Sequence, residues 1–307
     1  MDYKIAEQVL QEAASDLTTI GDFIRWTASS FENSNLYFGH GTDNAWDEAV
    51  ALVLETLSMP KITDPVLFNC RLTGTEKQNI VNNISLRINE RKPLSYITHK
   101  AWFAGQEYYV DERVLIPRSP IAELIENRFE PWLLHSPLKI LDLCTGSGCI
   151  ALACAMAFPE ADVDGSDFSE DALAVAEINK KKLSLEAHCN FIHSDLFTNL
   201  QAKKYDLIIS NPPYVDALDM STLPIEYQFE PELGLASGND GLDITRKILA
   251  QAANYLSENG ILIVEVGNSA AALELAFPDM QFTWLEFERG GEGVFLLDKS
   301  QLTLLGL

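Results

Sequence analysis

The stretch Ser210-Asn211-Pro212-Pro213-Tyr214-Val215-Asp216 closes an apolar run, YDLIIS, and sets an amide, two prolines and an aromatic ring in succession. Proline after Asn211 pushes the asparagine into extended geometry and aims its side chain out of the strand end. Pro213 has no N–H, so the turn is stiff and the Pro212 carbonyl has no donor at the next position. Two fixed acceptors result, the Asn211 side-chain oxygen and the Pro212 carbonyl, with the flat face of Tyr214 beside them. Such a pair suits a planar NH2 group. The nitrogen of an amide or a nucleobase amine is a poor nucleophile because its lone pair is delocalised. Holding both N–H bonds fixes that nitrogen and aims its lone pair at a methyl group. Positioning of this kind is worth up to about 7–11 kcal/mol in well-oriented systems. Accepting from N–H as positive charge develops adds electrostatic stabilisation. On this reading Asn211, Pro212 and Tyr214 are the catalytic candidates, Asn211 to Tyr214 with Pro213 hold the substrate, and no nucleophilic triad is needed.

A second constellation lies upstream. The run Asp142-Leu143-Cys144-Thr145-Gly146-Ser147-Gly148 follows a strand pattern and precedes a helical one. Glycines at such a crossover let backbone approach a ligand closely, and the helix N-terminus offers free N–H groups. Gly146 to Ala151 matches G-x-G-x-x-G/A, a pattern that also describes a purely structural turn. Charge separates the ligands. Asp142, just ahead of the loop, repels a pyrophosphate but tolerates a sulfonium and an ammonium group. Asp167, at the end of the next strand, can accept from both ribose hydroxyls. Asp195, in Ser194-Asp195-Leu196-Phe197, can meet an adenine amino group. Acids ending successive strands converge on one crevice at the sheet's carboxyl edge. An adenosyl cofactor without phosphates, S-adenosylmethionine, fits them. A nicotinamide dinucleotide enzyme and a non-catalytic cofactor-binding module are the rivals from other classes.

The elements that must position these residues read as an α/β doubly wound domain. KILDLC, ADVDGSD, NFIHSD, YDLIIS and ILIVEVG are short apolar or β-branched runs separated by helical stretches. FTWLEFE and GVFLLD flank Arg289-Gly290-Gly291-Glu292, a hairpin turn, so one of that pair should enter the sheet antiparallel. The first ninety or so residues read as helices. Asn44 is a good N-cap with Asp47 three residues on, and Trp46, Ala49, Val50, Val53, Leu54 and Leu57 form one apolar face before Met59-Pro60 ends the helix. A further helix spans about Thr75 to Glu90, with Ile80, Ile84 and Ile88 on one side. From Trp102 a β-hairpin joins the parts. The expected division is a helical domain over 1–93, a hairpin linker over 94–120 and the doubly wound domain over 121–307.

Composition narrows the partners. The 307 residues carry a net charge of −23 with 47% apolar residues, the profile of a globular protein whose field repels phosphate backbones and can attract basic partners. Between Arg71 and Lys100 six basic residues face two acidic ones, which reads equally as a solvated helix face or a binding patch. No signal-peptide pattern opens the chain, and its longest apolar run, Cys149 to Phe158, is too short to span a bilayer. A cytoplasmic location is therefore expected. The five cysteines form no CxxC pair, so buried thiols are expected rather than a metal site.

These motifs together resemble the class I methyltransferases that modify glutamine side-chain amides. The resemblance covers nearly the whole chain, through FAGQEYYVDERVLIPR, DLCTGSG, SDLF, SNPPYVD and EPELGLASGNDGLDITRKIL. It implies a seven-stranded Rossmann-like methyltransferase sheet, S-adenosylmethionine as methyl donor, and a helical N-terminal domain that recognises substrate. By matching motif positions, Asp142, Thr145, Gly146 and Gly148 would line the methionine part, Asp167 the ribose, Asp195 and Leu196 the adenine, and Asn211 to Tyr214 the glutamine, with Asn211 also touching the cofactor. The branch that modifies peptide-chain release factors carries R-P-x-T-E after the hairpin, whereas this chain reads Arg118-Ser119-Pro120-Ile121-Ala122-Glu123. Arg118 and Glu123 could line the site or serve the hairpin-to-helix junction. NLYFGHGTDNAWDEAVALVL is similar to the other, PrmB-type branch, which methylates a glutamine of large-subunit ribosomal protein three. A basic ribosomal protein before assembly is the partner this implies, with the release factors as the alternative. A nucleic-acid amino-methyltransferase shares the Asn-Pro-Pro-Tyr motif but would be expected to carry a basic recognition region. Residues 1–100 hold 9 basic and 13 acidic side chains.

Overall fold

The computed structural model describes residues 4–60, 64–201 and 203–304. The acidic start Met1-Asp2-Tyr3 lies outside them. The chain forms two compact units, one of residues 1–100 with Pro224–Phe229 and one of Ala101–Leu223 with Glu230–Leu307.

In the first unit, helices α1 (Glu7–Asp16), α2 (Ile20–Glu32), α3 (Ala45–Thr56), α4 (Gly74–Asn89) and α5 (Leu94–Thr98) follow one another. Local chemistry sets their starts. Asn44 caps α3 by accepting from the Asp47 N–H, and Thr19 and Thr73 form capping boxes with Asp22 and Glu76. The core gathers Phe23, Phe31, Leu52, Ile80, Ile84 and Ile88. Helix α3 buries Ala49, Val53 and Leu54 of the expected face, packs Val50 and Leu57 half-buried on the same core, and adds Ala45, Glu48 and Leu52. Of that face Trp46 alone points outward, at 53% exposure. Glu48 lies on the buried side as well, its carboxylate meeting Arg87 at 2.5 Å. Arg87 also reaches Glu226 at 3.4 Å and the Tyr37 carbonyl at 2.8 Å. At 1% exposure, Arg87 belongs neither to a solvated face nor to a binding patch. Removing one partner of such a buried network strands the others without water. Arg87→Ala should therefore destabilise the helical unit by about 3–5 kcal/mol, read as an earlier urea-unfolding midpoint.

The second unit opens with the hairpin β1 (Ala101–Phe103) and β2 (Gln106–Tyr108), turned by Ala104 and Gly105 at positive φ. Then follow α6 (Ile121–Glu126), β3 (Lys139–Leu143), α7 (Cys149–Ala157), β4 (Asp162–Asp167), α8 (Glu170–Lys182), β5 (Cys189–His193), β6 (Tyr205–Ser210), α9 (Ala217–Thr222), α10 (Asp243–Ala252), β7 (Leu256–Glu265), α11 (Ala270–Ala276), β8 (Thr283–Trp284), β9 (Val294–Asp298) and α12 (Lys299–Leu304). The seven-stranded sheet runs β5-β4-β3-β6-β7-β9-β8. Strands β3 to β7 pair in parallel, and β9 enters antiparallel to β7 as the terminal hairpin pattern requires. This is the α/β doubly wound sheet expected of the alternating pattern.

Both faces of the sheet are covered, so its strands are apolar on both sides. Ile140, Leu207, Ile209, Ile263 and Leu296 enter one core with α6 and α7. Their neighbours Leu141, Leu143, Ile208, Val264 and Phe295 enter the other with residues of α10, α11 and α12. Helix α7 sits among apolar groups and carries no charge in CIALACAMA. The chain winds from β3 outward to β5, then returns to place β6 on the other side of β3. The crevice at that reversal, beyond the strand ends, is where doubly wound folds bind ligands.

Candidate active site

A cavity of about 320 Å³ opens at this reversal, walled by residues after β3, β4, β5 and β6. Strand β3 leaves the sheet through Cys144 and Gly146, both at positive φ, and Gly148, at φ +78°, starts α7. A side chain at Gly148 would come within 2.7 Å of the Phe191 ring, so the loop's tightness depends on that residue being glycine. No side chain stands between the Gly146 backbone and the cavity that it lines.

Thr145, Gly146, Asp167, Asp195, Leu196, Asn211 and Pro213 all line this one cavity. Asp167 accepts from the Gly146 N–H at 2.8 Å and the Ser169 N–H at 2.9 Å. These bonds aim the carboxylate and favour its charge, against a burial that raises its pKa. Asp195 is exposed at the rim, and Leu196 is held at φ +50°. Gly148, Asp142, Pro212 and Tyr214 adjoin these residues in the two turns without themselves lining the cavity.

Asp142 is fully buried and supports the loop from below. It accepts from Thr145 Oγ1 at 2.5 Å and from the Ala151 N–H at 3.1 Å, bracing the glycine turn against the first turn of α7. Its other oxygen has no partner among the described residues. Burial pushes its pKa up to about 7. The neutral acid is tolerated inside and the carboxylate is not, so this stabilisation is full below about pH 3.8 and is lost as pH rises through about 7. Stability of the second unit should accordingly fall across that window. The slope is up to about 1.4 kcal/mol per pH unit, and Asp142→Asn should flatten it in urea titrations run at a series of pH values.

The Asn-Pro-Pro-Tyr turn leaves β6 at Ser210, opposite Leu143 in the parallel ladder. Ser210 Oγ donates to the Leu143 carbonyl at 2.9 Å, which ties the two functional turns together at their roots. No hydrogen bond among the described residues occupies the Asn211 side chain or the Pro212 carbonyl. Val215 then pairs with Leu235 and Ser237 through backbone bonds of 2.8 and 2.9 Å.

Several residues of the site were not singled out in the sequence. Phe168 follows Asp167, lines the cavity and is 60% exposed, an unusual exposure for so large a ring. An aromatic directly after a strand-end acid was the available signal. Ser166 lines the cavity with a buried, unpartnered hydroxyl. Glu265, at the end of β7, accepts from Tyr214 Oη at 2.9 Å and Ser119 Oγ at 2.5 Å. Proline after the arginine, as in R-P-x-T-E, would have no hydroxyl to reach it. Arg118 lines the cavity while gripping Glu230 at 2.6 and 2.8 Å. Glu123 instead accepts from the Glu288 and Arg289 backbone N–H groups near the terminal hairpin. No group of metal-ligating side chains occurs among the described residues.

A doubly wound sheet whose switch point carries such a loop and such a turn is that of a methyltransferase. The family described as Methyltransferase small domain matches residues 129–227. The fold is shared with the hMettl16 catalytic domain, solved in complex with an RNA hairpin, at TM-score 0.50, 15% identity, 73% of this chain and 80% of that one. A ribosomal protein uL3 glutamine methyltransferase of Francisella tularensis is 50% identical over 97% of this chain and 95% of its own length. One from Neisseria gonorrhoeae is 48% identical over 96% and 99%. The chain belongs to the family of ribosomal protein uL3 glutamine methyltransferases.

The residues present suit S-adenosylmethionine. A carboxylate fixed by backbone bonds, an exposed ring beside it and an unpartnered hydroxyl surround a loop with no side chain in the way. Asp167 carries that arrangement. Asp167→Ala should weaken S-adenosylmethionine binding by about 10- to 100-fold, the loss of a charge-assisted pair of hydrogen bonds. Calorimetric titration reads it directly.

Proposed function

We propose that this protein transfers the methyl group of S-adenosylmethionine to the side-chain amide nitrogen of a glutamine in ribosomal protein uL3. The observation that carries this reading is the unbonded Asn211 side chain at the wall of the cofactor cavity, on a turn that two prolines stiffen. Thr145, Gly146, Gly148, Asp167, Asp195 and Leu196 would hold the cofactor, with Phe168 beside the adenosyl end and Asp142 bracing the loop. When bound, the cofactor supplies an electrophilic methyl on a cationic sulfur. The protein's part is to hold the weak nucleophile. Asn211 Oδ1 and the Pro212 carbonyl accept the two amide N–H bonds, fix the nitrogen and favour the positive charge that grows on it. Formation of the C–N bond would break the methyl–sulfur bond and leave a neutral thioether, and the nitrogen would then lose one of these protons to water. Tyr214 offers its ring to the flat amide.

The helical unit is the part that would recognise the substrate protein. Its buried Arg87 leaves fewer exposed cations than the sequence suggests, which favours a protein over a nucleic acid. A net charge of −23 would draw in a basic ribosomal protein and be repelled by ribosomal RNA, so the free protein before assembly is the better substrate. No helix among the described residues is long and apolar enough to cross a membrane, and a cytoplasmic enzyme would meet newly made uL3.

Two outcomes test this. Asn211→Ala should abolish methyl transfer to uL3 while S-adenosylmethionine affinity, read by calorimetry, stays within about threefold; full activity in that variant would refute the clamp. Free uL3 should also be methylated faster than assembled large subunits, and equal rates on both would refute the substrate state.

A further inference from the structure

The end of β7 carries a group the fold does not need. Ile261 to Val264 are apolar and buried, and Glu265 follows at 5% exposure. A carboxylate in such a place is expensive unless it is hydrogen-bonded, and burial raises its pKa. A leucine would pack there at lower cost. Its hydrogen bonds go to Tyr214 Oη and Ser119 Oγ. In the parallel ladder Val264 faces Ser210, so Glu265 is one step along, beside the root of the Asn-Pro-Pro-Tyr turn.

The rest of Tyr214 is held with equal care. Ser269 Oγ donates to its carbonyl at 2.8 Å. A side chain at Gly267 would come within 2.7 Å of its ring, and one at Gly241 within 2.2 Å of its carbonyl oxygen. Both glycines have positive φ, so bare backbone packs against the tyrosine on these sides. These contacts fix the main chain and one flank of the ring. The far end of the side chain has its anchor in Glu265.

Resting on the reading of Asn211 to Tyr214 as the glutamine clamp, we propose that Glu265 is a positioning residue for methyl transfer, holding the Tyr214 ring in one orientation through its hydroxyl. Ser119 completes the arrangement, since its own Oγ accepts from the Ile121 N–H at 3.1 Å and fixes the start of α6. Chemistry limited by positioning loses rate steeply when its supports loosen. The effect of Glu265 should therefore fall on kcat and pass through Tyr214.

The test is a double-mutant cycle on kcat with uL3 as substrate. Glu265→Ala and Tyr214→Phe should each lower kcat by about 10- to 100-fold, with S-adenosylmethionine affinity within about twofold of wild type. The double variant should be no worse than about twofold below Tyr214→Phe. Glu265→Gln, which keeps an acceptor for the tyrosine, should restore most of the rate. Equal losses from Glu265→Ala in both backgrounds would overturn the proposal and mark the acid as structural only. If Glu265→Ala does not fold, Tyr214→Phe decides alone, and full kcat in it overturns the proposal. Failure of the wild-type protein to methylate uL3 would instead count against the function, whatever the variants do.

Discussion

The pairing of β3 with β6 is the constraint on which the site depends. Leu143 lies opposite Ser210, and the Ser210 hydroxyl is bonded to the Leu143 carbonyl at 2.9 Å. The glycine loop leaves the sheet from one of these residues and the Asn-Pro-Pro-Tyr turn from the other. A slip of one residue would exchange the two faces of the strand and send Ile209 and Leu207 to the wrong core. The packing that stabilises the sheet therefore also sets the distance between the glycine loop and the Asn-Pro-Pro-Tyr turn. Rigid strands give that distance a precision loops alone would lack.

The division of labour around the crevice follows from electrostatics. The acids sit at graded depth: Asp195 exposed, Asp167 partly buried and bonded to backbone, and Asp142 buried completely. The backbone N–H groups on Asp167 favour its charge against the burial that raises its pKa, while burial under the loop pushes Asp142 toward its neutral form. Only the middle case suits a ligand that must be gripped by charge-assisted bonds. The same reasoning separates Asp142 from Glu265. Both are buried, yet each reaches toward a different turn, one bracing the glycine loop and the other the tyrosine.

Much of this was legible in sequence because it rests on local chemistry. The alternation of strand and helix patterns, the capping asparagine at Asn44, the terminal hairpin and the loop DLCTGSG each carry their own signal within a few residues. What was not legible depends on partners far along the chain. The burial of Arg87 requires Glu48 and Glu226, 39 and 139 residues away, and no window of sequence contains all three. The apolar face of α3 read from periodicity packs on the core except at Trp46, which faces out. Glu265 and Ser119 are 146 residues apart, and their meeting at Tyr214 appears only when β6 and β7 are side by side. Asp142 reads from spacing as a cofactor ligand, but its depth is a property of the packed loop.

The most direct measurement is mass spectrometry of uL3 and of the release factors from cells with and without this protein. Loss of one methyl group from a single glutamine of uL3, with the release factors unchanged, is the predicted result. Unchanged uL3, or loss of the methyl group from a release factor instead, would contradict the account.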